Sequence, residues 1–228
     1  PKDIEKDQSY FLSGLNQEQL RFSMFPLGGL KKQQVREIAN RHKLVNSEKK
    51  GTTGICFIEQ RSFRNFITNY IKDNPGDIKT LENATIGQHR GLHLYTIGQR
   101  KGLGIGGLKN SNNSPWFVVN KDLEQNILYV AQGENHPALL SDMLIASNAF
   151  WIEGASPTFP LFCAAKIRYR QADQYCRVTI GQNGRLIVNF EKPQRAIAPG
   201  QTIVFYKRDL CLGNAIIQTN SDLNIDNH

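Results

Sequence analysis

From Asp77 to Gln218 the helical period vanishes and the chain becomes a succession of short β-rich runs separated by turns. The runs are Ile78–Leu81, Leu92–Thr96, Trp116–Asn120, Ile127–Ala131, Ile145–Phe150, Phe162–Tyr169, Tyr175–Ile180, Leu186–Phe190, Thr202–Tyr206 and Cys211–Ile217. Strands this short and this evenly spaced cannot each bury a face alone, and they suit a barrel or a sandwich. Gln182-Asn183-Gly184 falls between two of them. Asn-Gly accepts the positive φ values that tight hairpin turns require.

Ahead of this region the pattern is helical. Tyr10, Phe11 and Leu15 form a short apolar stripe over Asp7 to Leu15. Asn16 with Gln19 has the spacing of a capping pair before a helix over Gln17 to Phe22. Phe25-Pro26-Leu27-Gly28-Gly29 is a break. Val35, Ile38, Ala39 and His42 then fall on one face of a helix from Lys31 to His42, with His42 a helix-terminal residue. Phe63, Phe66, Ile67 and Tyr70 mark a further helix, which Asn74-Pro75-Gly76 ends. Helices followed by strands predict an α+β chain.

Charge divides the chain in the same sense. Residues 1–110 carry 18 Lys/Arg against 10 Asp/Glu, whereas residues 111–228 carry 10 of each. A basic half beside a neutral one points to a polyanionic partner, with nucleic acid the first candidate. No apolar run approaches the roughly 18 residues of a membrane span, and no signal-peptide pattern occurs, so the expectation is a cytoplasmic protein.

The four cysteines are Cys56, Cys163, Cys176 and Cys211, with neither C-x-x-C nor zinc-finger spacing. Cys163, Cys176 and Cys211 sit inside apolar strand-like runs and read as small buried hydrophobes. Cys56 follows Lys49, Lys50 and the small-residue loop Gly51-Thr52-Thr53-Gly54. Cations and backbone amides lower a thiol's pKa, so the setting suits a reactive thiolate. A structural thiol among Ile55, Phe57 and Ile58 is the competing reading. Gln99 to Gly107 likewise admits two readings. It is either a phosphate-contacting loop carrying Arg100 and Lys101 or a glycine-rich hairpin connection with solvated charges. Arg168-Tyr169-Arg170 offers cations around an aromatic ring for stacking or phosphate contact, or is a strand with outward arginines. His89 and His93 read as ordinary polar positions.

Several motifs, taken together and in order, favour the functional readings. Lys6-Asp7-Gln8-Ser9-Tyr10-Phe11-Leu12, Gly54-Ile55-Cys56-Phe57-Ile58 and Thr96 to Gly107 resemble signatures of the bacterial tRNA-specific 2-thiouridylase family. Pro115-Trp116 with Val118-Val119, Val130-Ala131-Gln132-Gly133, Arg168-Tyr169-Arg170 and Pro199-Gly200-Gln201 resemble its later segments. The resemblance implies ATP-dependent replacement of the C2 oxygen of a wobble uridine by sulfur from a cysteine persulfide, carried here by Cys56. It implies tRNA contacts at Lys6, Asp7, Gln8, Arg100, Lys101, Arg168, Tyr169 and Gln201. The partners it implies are tRNA and a persulfide sulfur donor or relay protein, with no membrane and no DNA.

It further implies that ATP, with Mg2+, binds a Ser-Gly-Gly-x-Asp-Ser loop in an upstream pyrophosphatase domain that also holds a second catalytic cysteine. This chain has no such loop and no cysteine before Cys56, so it is expected to hold no cofactor or metal site and to be inactive alone. Gly51 stands where the family has aspartate, and Glu59 where it has glycine. The organisation implied is a helical remnant of the catalytic domain over 1–60, a small central tRNA-binding domain over 61–143, and a C-terminal antiparallel β-barrel over 144–228. A non-catalytic RNA-binding module with a structural Cys56, or a barrel docking an acidic sulfur carrier, are the rivals.

Overall fold

A computed structural model of the chain describes residues 1–49, 66–67, 69–105 and 114–218. Cys56 with its loop, Glu59, Gly106, Gly107 and most of the helix expected around Phe63–Tyr70 lie outside these. The described residues form two compact units. One gathers residues 1–49, 143–192 and 199–218; the other gathers the described residues between 66 and 142 together with 193–198.

The first unit opens with a 3-10 turn at Ile4–Lys6 and three short helices, α1 (Ser9–Leu12), α2 (Gln17–Arg21) and α3 (Lys32–Arg41). The expected capping pair is present. The Gln19 amide N–H donates to the Asn16 side chain at 2.8 Å, and the Asn16 N–H donates to the Gln19 side chain at 3.0 Å. His42 caps the C-terminus of α3.

The rest of this unit is a closed six-stranded barrel. It is built from β5 (Leu140–Trp151), β6 (Leu161–Lys166), β7 (Gln174–Ile180), β8 (Leu186–Arg195), β9 (Thr202–Lys207) and β10 (Leu210–Ile217), in the order β10-β5-β8-β7-β6-β9. Closure removes every free strand edge. Alternation sends Val178, Val188, Ile203 and Ala215 inward, each fully buried. Cys163 and Cys176 face each other across β6 and β7, both buried, while Cys211 is half-buried. Asn183 and Gly184, at φ 55° and 72°, make the turn between β7 and β8.

The second unit is a mixed sheet in the order β2-β1-β4-β3, from β1 (Gly76–Thr80), β2 (Thr85–His89), β3 (Trp116–Asp122) and β4 (Ile127–Gln132). Strands β3 and β4 are apolar on both faces. Val118, Leu128 and Val130 pack with Ile78, Leu92, Tyr95 and Leu103 on one side. Phe117, Val119 and Ala131 meet Leu139 and Ala196 on the other. The helices, mixed sheet and antiparallel barrel make an α+β fold, as expected. No helix among the described residues is long and apolar enough to cross a membrane, which says nothing of β-barrel membrane proteins.

Three expectations are corrected. Leu92–Thr96 is no strand: Leu92–Leu94 is a 3-10 turn that points both Leu92 and Tyr95 into the core. Arg168–Arg170 is a turn following β6 rather than part of it, because Arg170 adopts φ 65°. His89 is buried, 1% exposed, with Nε2 hydrogen-bonded to the Asn126 carbonyl at 3.0 Å.

Candidate functional site

The first unit brings together residues that lie far apart in sequence. At its centre is the segment Asp7 to Gly14. The Asp7 carboxylate accepts from the Ser9 N–H at 2.8 Å and from the Ser9 hydroxyl at 3.0 Å. This starts α1 in the manner of an Asx turn. The Ser9 and Tyr206 hydroxyls lie 3.4 Å apart. Ser9 gives its one proton to Asp7, so Tyr206 is the donor, and a relay runs Tyr206 to Ser9 to Asp7. Burial pushes the Tyr206 hydroxyl up to about 12 and the Cys211 thiol up to about 11, the nearby Asp7 charge adding to both shifts.

Tyr10 ties the segment to the barrel by donating from its hydroxyl to the Thr202 carbonyl at 2.7 Å. Burial also raises the Tyr10 pKa, while the Arg168 charge opposes the rise. Asn214 on β10 donates to the Ser13 carbonyl at 2.8 Å, a second tie. Tyr169 packs against Phe11 with ring centroids 4.6 Å apart, and the Arg170 guanidinium lies 5.2 Å from the Tyr169 ring. Lys166 sits over the Tyr206 ring at 4.8 Å and pairs with Asp173 at 3.3 Å. An open cleft of about 390 Å³ lies beside this cluster, lined by Tyr10, Phe11, Ser13, Gly14, Gly200, Gln201, Thr202 and Asn214.

Of the residues singled out from sequence, Lys6, Asp7, Gln8, Arg168, Tyr169 and Gln201 all belong to this unit. Lys6, Gln8, Arg168 and Gln201 are exposed, whereas Asp7 and Tyr169 are half-buried. Gln201 lines the cleft; Tyr169 reaches it through Phe11. Sequence reasoning missed Phe11 and Asn214 as cleft residues. Phe11 reads in sequence as part of a helical stripe, and nothing in the β10 pattern marks Asn214.

Arg100 and Lys101 belong to the second unit, in a pinned loop. The Thr96 N–H donates to the Gln99 side chain at 3.0 Å, the Gln99 amide donates to the Lys101 carbonyl at 2.9 Å, and Leu103 is buried in the core. Between these anchors both cations are exposed. The loop therefore displays two positive charges on a fixed backbone, with Gly102 and Gly104 at φ 79° and 69°.

Three family models match the chain: a tRNA methyl transferase HUP domain over residues 1–60, a tRNA methyl transferase PRC-barrel domain over 64–132, and an aminomethyltransferase beta-barrel domain over 141–217. A tRNA-specific 2-thiouridylase of Nitrosococcus oceani is 54% identical over 224 residues, which is 98% of this chain and 61% of that protein. The chain belongs to the tRNA-specific 2-thiouridylase family. The family member of Geobacillus kaustophilus is 55% identical over 216 residues, 95% of this chain and 58% of its own length. That of Protochlamydia amoebophila is 51% identical over 216 residues, with 95% and 56% covered. The chain thus spans about three fifths of the length of these family members.

All eight residues lining the cleft are uncharged, so a nucleoside triphosphate with its magnesium ion meets no counter-charge there. Among the described residues no group of three or more His, Cys, Asp or Glu is placed to hold a metal ion. The lining of this cleft does not fit ATP–Mg2+.

Proposed function

We propose that this chain is the sulfur-carrying and tRNA-binding portion of a tRNA uridine 2-sulfurtransferase. The observation that carries the RNA half is that Tyr169, packed on Phe11, and Gln201, lining the polar cleft, share one unit with Arg168 and the 6–8 segment. Cations position phosphates and aromatic rings stack unpaired bases, and single-stranded RNA recognition uses both together. In this reading Lys6, Arg168, Arg100 and Lys101 take the phosphate role, Tyr169 and Gln201 the base-binding role, and Gln8 offers an exposed amide. Asp7, with both carboxylate oxygens engaged by Ser9, shapes the segment that presents Lys6 and Gln8.

The relatives' name, 2-thiouridylase, supports the sulfur half, and the motif around Cys56 makes it the acceptor in this reading. Its thiolate attacks the terminal sulfur of a donor persulfide; the donor's S–S bond breaks, the donor leaves as a thiolate, and Cys56 holds the sulfur as a persulfide. Delivery to C2 of uridine needs the oxygen activated by ATP, and no step of that activation is assigned to this chain. Residues 1–60 are read as the end of the catalytic domain, 61–143 as the central tRNA-binding domain and 144–228 as the barrel domain. A cytoplasmic location follows from the substrate.

The test is tRNA binding by fluorescence anisotropy across about 50 to 200 mM salt. Affinity should fall linearly on a log–log plot, and Arg100→Ala or Lys101→Ala should each reduce the slope by about 1 while weakening all tRNAs alike. Binding that ignores salt and both substitutions removes the physical basis of the reading.

A further inference from the structure

Phe11 is 63% exposed, a large apolar ring left in water at the lip of a cleft. It is also held rigidly. Tyr10 meets it edge to face with centroids 5.5 Å apart at 88°, and Tyr169 packs on it at 4.6 Å. Both supports are themselves fixed, Tyr10 by its bond to the Thr202 carbonyl and Tyr169 by the Arg170 guanidinium. A ring that served only the core would turn inward; this one is buttressed from behind and open in front. Immobilising it in advance removes the ordering cost that a ligand stacking on it would otherwise meet.

The cleft beside it has the chemistry of a base edge. Its polar groups are hydroxyls and amides: Ser13, Thr202, Gln201 and Asn214. The Asn214 amide is oriented by its bond to the Ser13 carbonyl, so its plane is set before any ligand arrives. The cleft volume is about 390 Å³. That lies at the small end of the range for small-ligand sites, enough for one base rather than a whole cofactor. The lining carries no charge, and two cations stand beside it: Arg168, whose charge acts on Tyr10, and Arg170, over the Tyr169 ring that packs on Phe11. That division, neutral pocket and basic surround, fits a planar heteroaromatic ring whose phosphates remain at the surface.

We propose that this cleft holds one unstacked RNA base, with Phe11 as its stacking platform and the Gln201 and Asn214 amides reading its edge. The inference rests on the RNA-binding reading above and names the residue that reading lacks. A base of a single-stranded RNA segment and a free nucleotide share this chemistry, and the RNA base is favoured because the surrounding cations can follow a backbone on either side of it.

The experiment uses the 228-residue chain and a short oligouridylate carrying one 5-iodouridine. Irradiation should give an adduct that mass spectrometry maps to Phe11. Phe11→Leu, which keeps size but not the π face, should lose the adduct and weaken binding about 5- to 150-fold, the equivalent of the roughly 1–3 kcal/mol per stacked base. Phe11→Trp should retain both. Because the ring is mostly exposed, Phe11→Leu should melt with the wild type, separating stacking from folding. Adducts confined to Phe162 or Tyr175, which are 68% and 66% exposed elsewhere on the barrel, with Phe11→Leu binding normally, would overturn the inference while leaving salt-dependent tRNA binding intact. Uridine monophosphate competing as well as the oligonucleotide would overturn the RNA-base assignment in favour of a free-nucleotide site. A wild-type chain that binds neither the oligonucleotide nor tRNA would overturn this inference and the function proposed above together.

Discussion

Cys211 and Tyr206 show how one corner of the barrel unit sets the protonation of its own side chains. Both are acids that are neutral when protonated, and burial holds their protons on, Cys211 up to about 11 and Tyr206 up to about 12. The unfolded chain ionises them near 9 and 10, so at high pH it binds fewer protons than the fold does. The stability this contributes is complete below pH 9, is lost through Cys211 between 9 and 11, and is lost through Tyr206 between 10 and 12. Denaturant midpoints for the barrel transition should therefore fall from pH 9 upward. Lys121, in the other unit, is shifted down by burial and acts in the opposite sense, so the informative quantity is the difference between wild type and Cys211→Ala. That variant should lose less stability between pH 9 and 11 than the wild type; equal losses would contradict the assignment. The same shift leaves Cys211 a thiol at neutral pH and a poor nucleophile.

At the scale of the element, β10 is bent where its pairing with β9 slips between Cys211 and Gly213. Gly213 has φ 153°, and a β-carbon there would collide with the Phe150 carbonyl. Gly213→Ala should cost about 1–3 kcal/mol, read as a lowered unfolding midpoint of the barrel; an unchanged midpoint would show that the bend is not required. Strand β2 was illegible in the sequence because Thr85-Ile86-Gly87-Gln88-His89 has one aliphatic residue. Its pairing with β1, not its own pattern, makes it a strand. Leu92 and Tyr95 misled in the opposite direction: β-prone residues three apart both reach the core from a turn. Asn183-Gly184 was legible because turn chemistry is local. Arg168–Arg170 was not, since nothing local marks the end of β6 at Lys166 or the turn, with Arg170 at φ 65°, in which the Tyr169 ring meets Phe11.

For the molecule as a whole, the basic bias of the first half of the chain pointed to the polyanionic partner proposed above, and the ordered motifs announced the family. The cleft was hidden, because it joins residues 10–14, 200–202 and 214, and no spacing rule anticipates which loops a barrel brings together on closing. Cys56 shows the converse: its surroundings in sequence permit a reactive or a structural thiol, and the motif around it favours sulfur transfer. The measurement that bears on this most directly is mass spectrometry of the chain after incubation with a persulfide donor, peptide by peptide. Sulfur transfer predicts one added sulfur atom on Cys56, removable by reductant, and none on Cys163, Cys176 or Cys211. An unmodified Cys56, or sulfur distributed equally over all four cysteines, would contradict it.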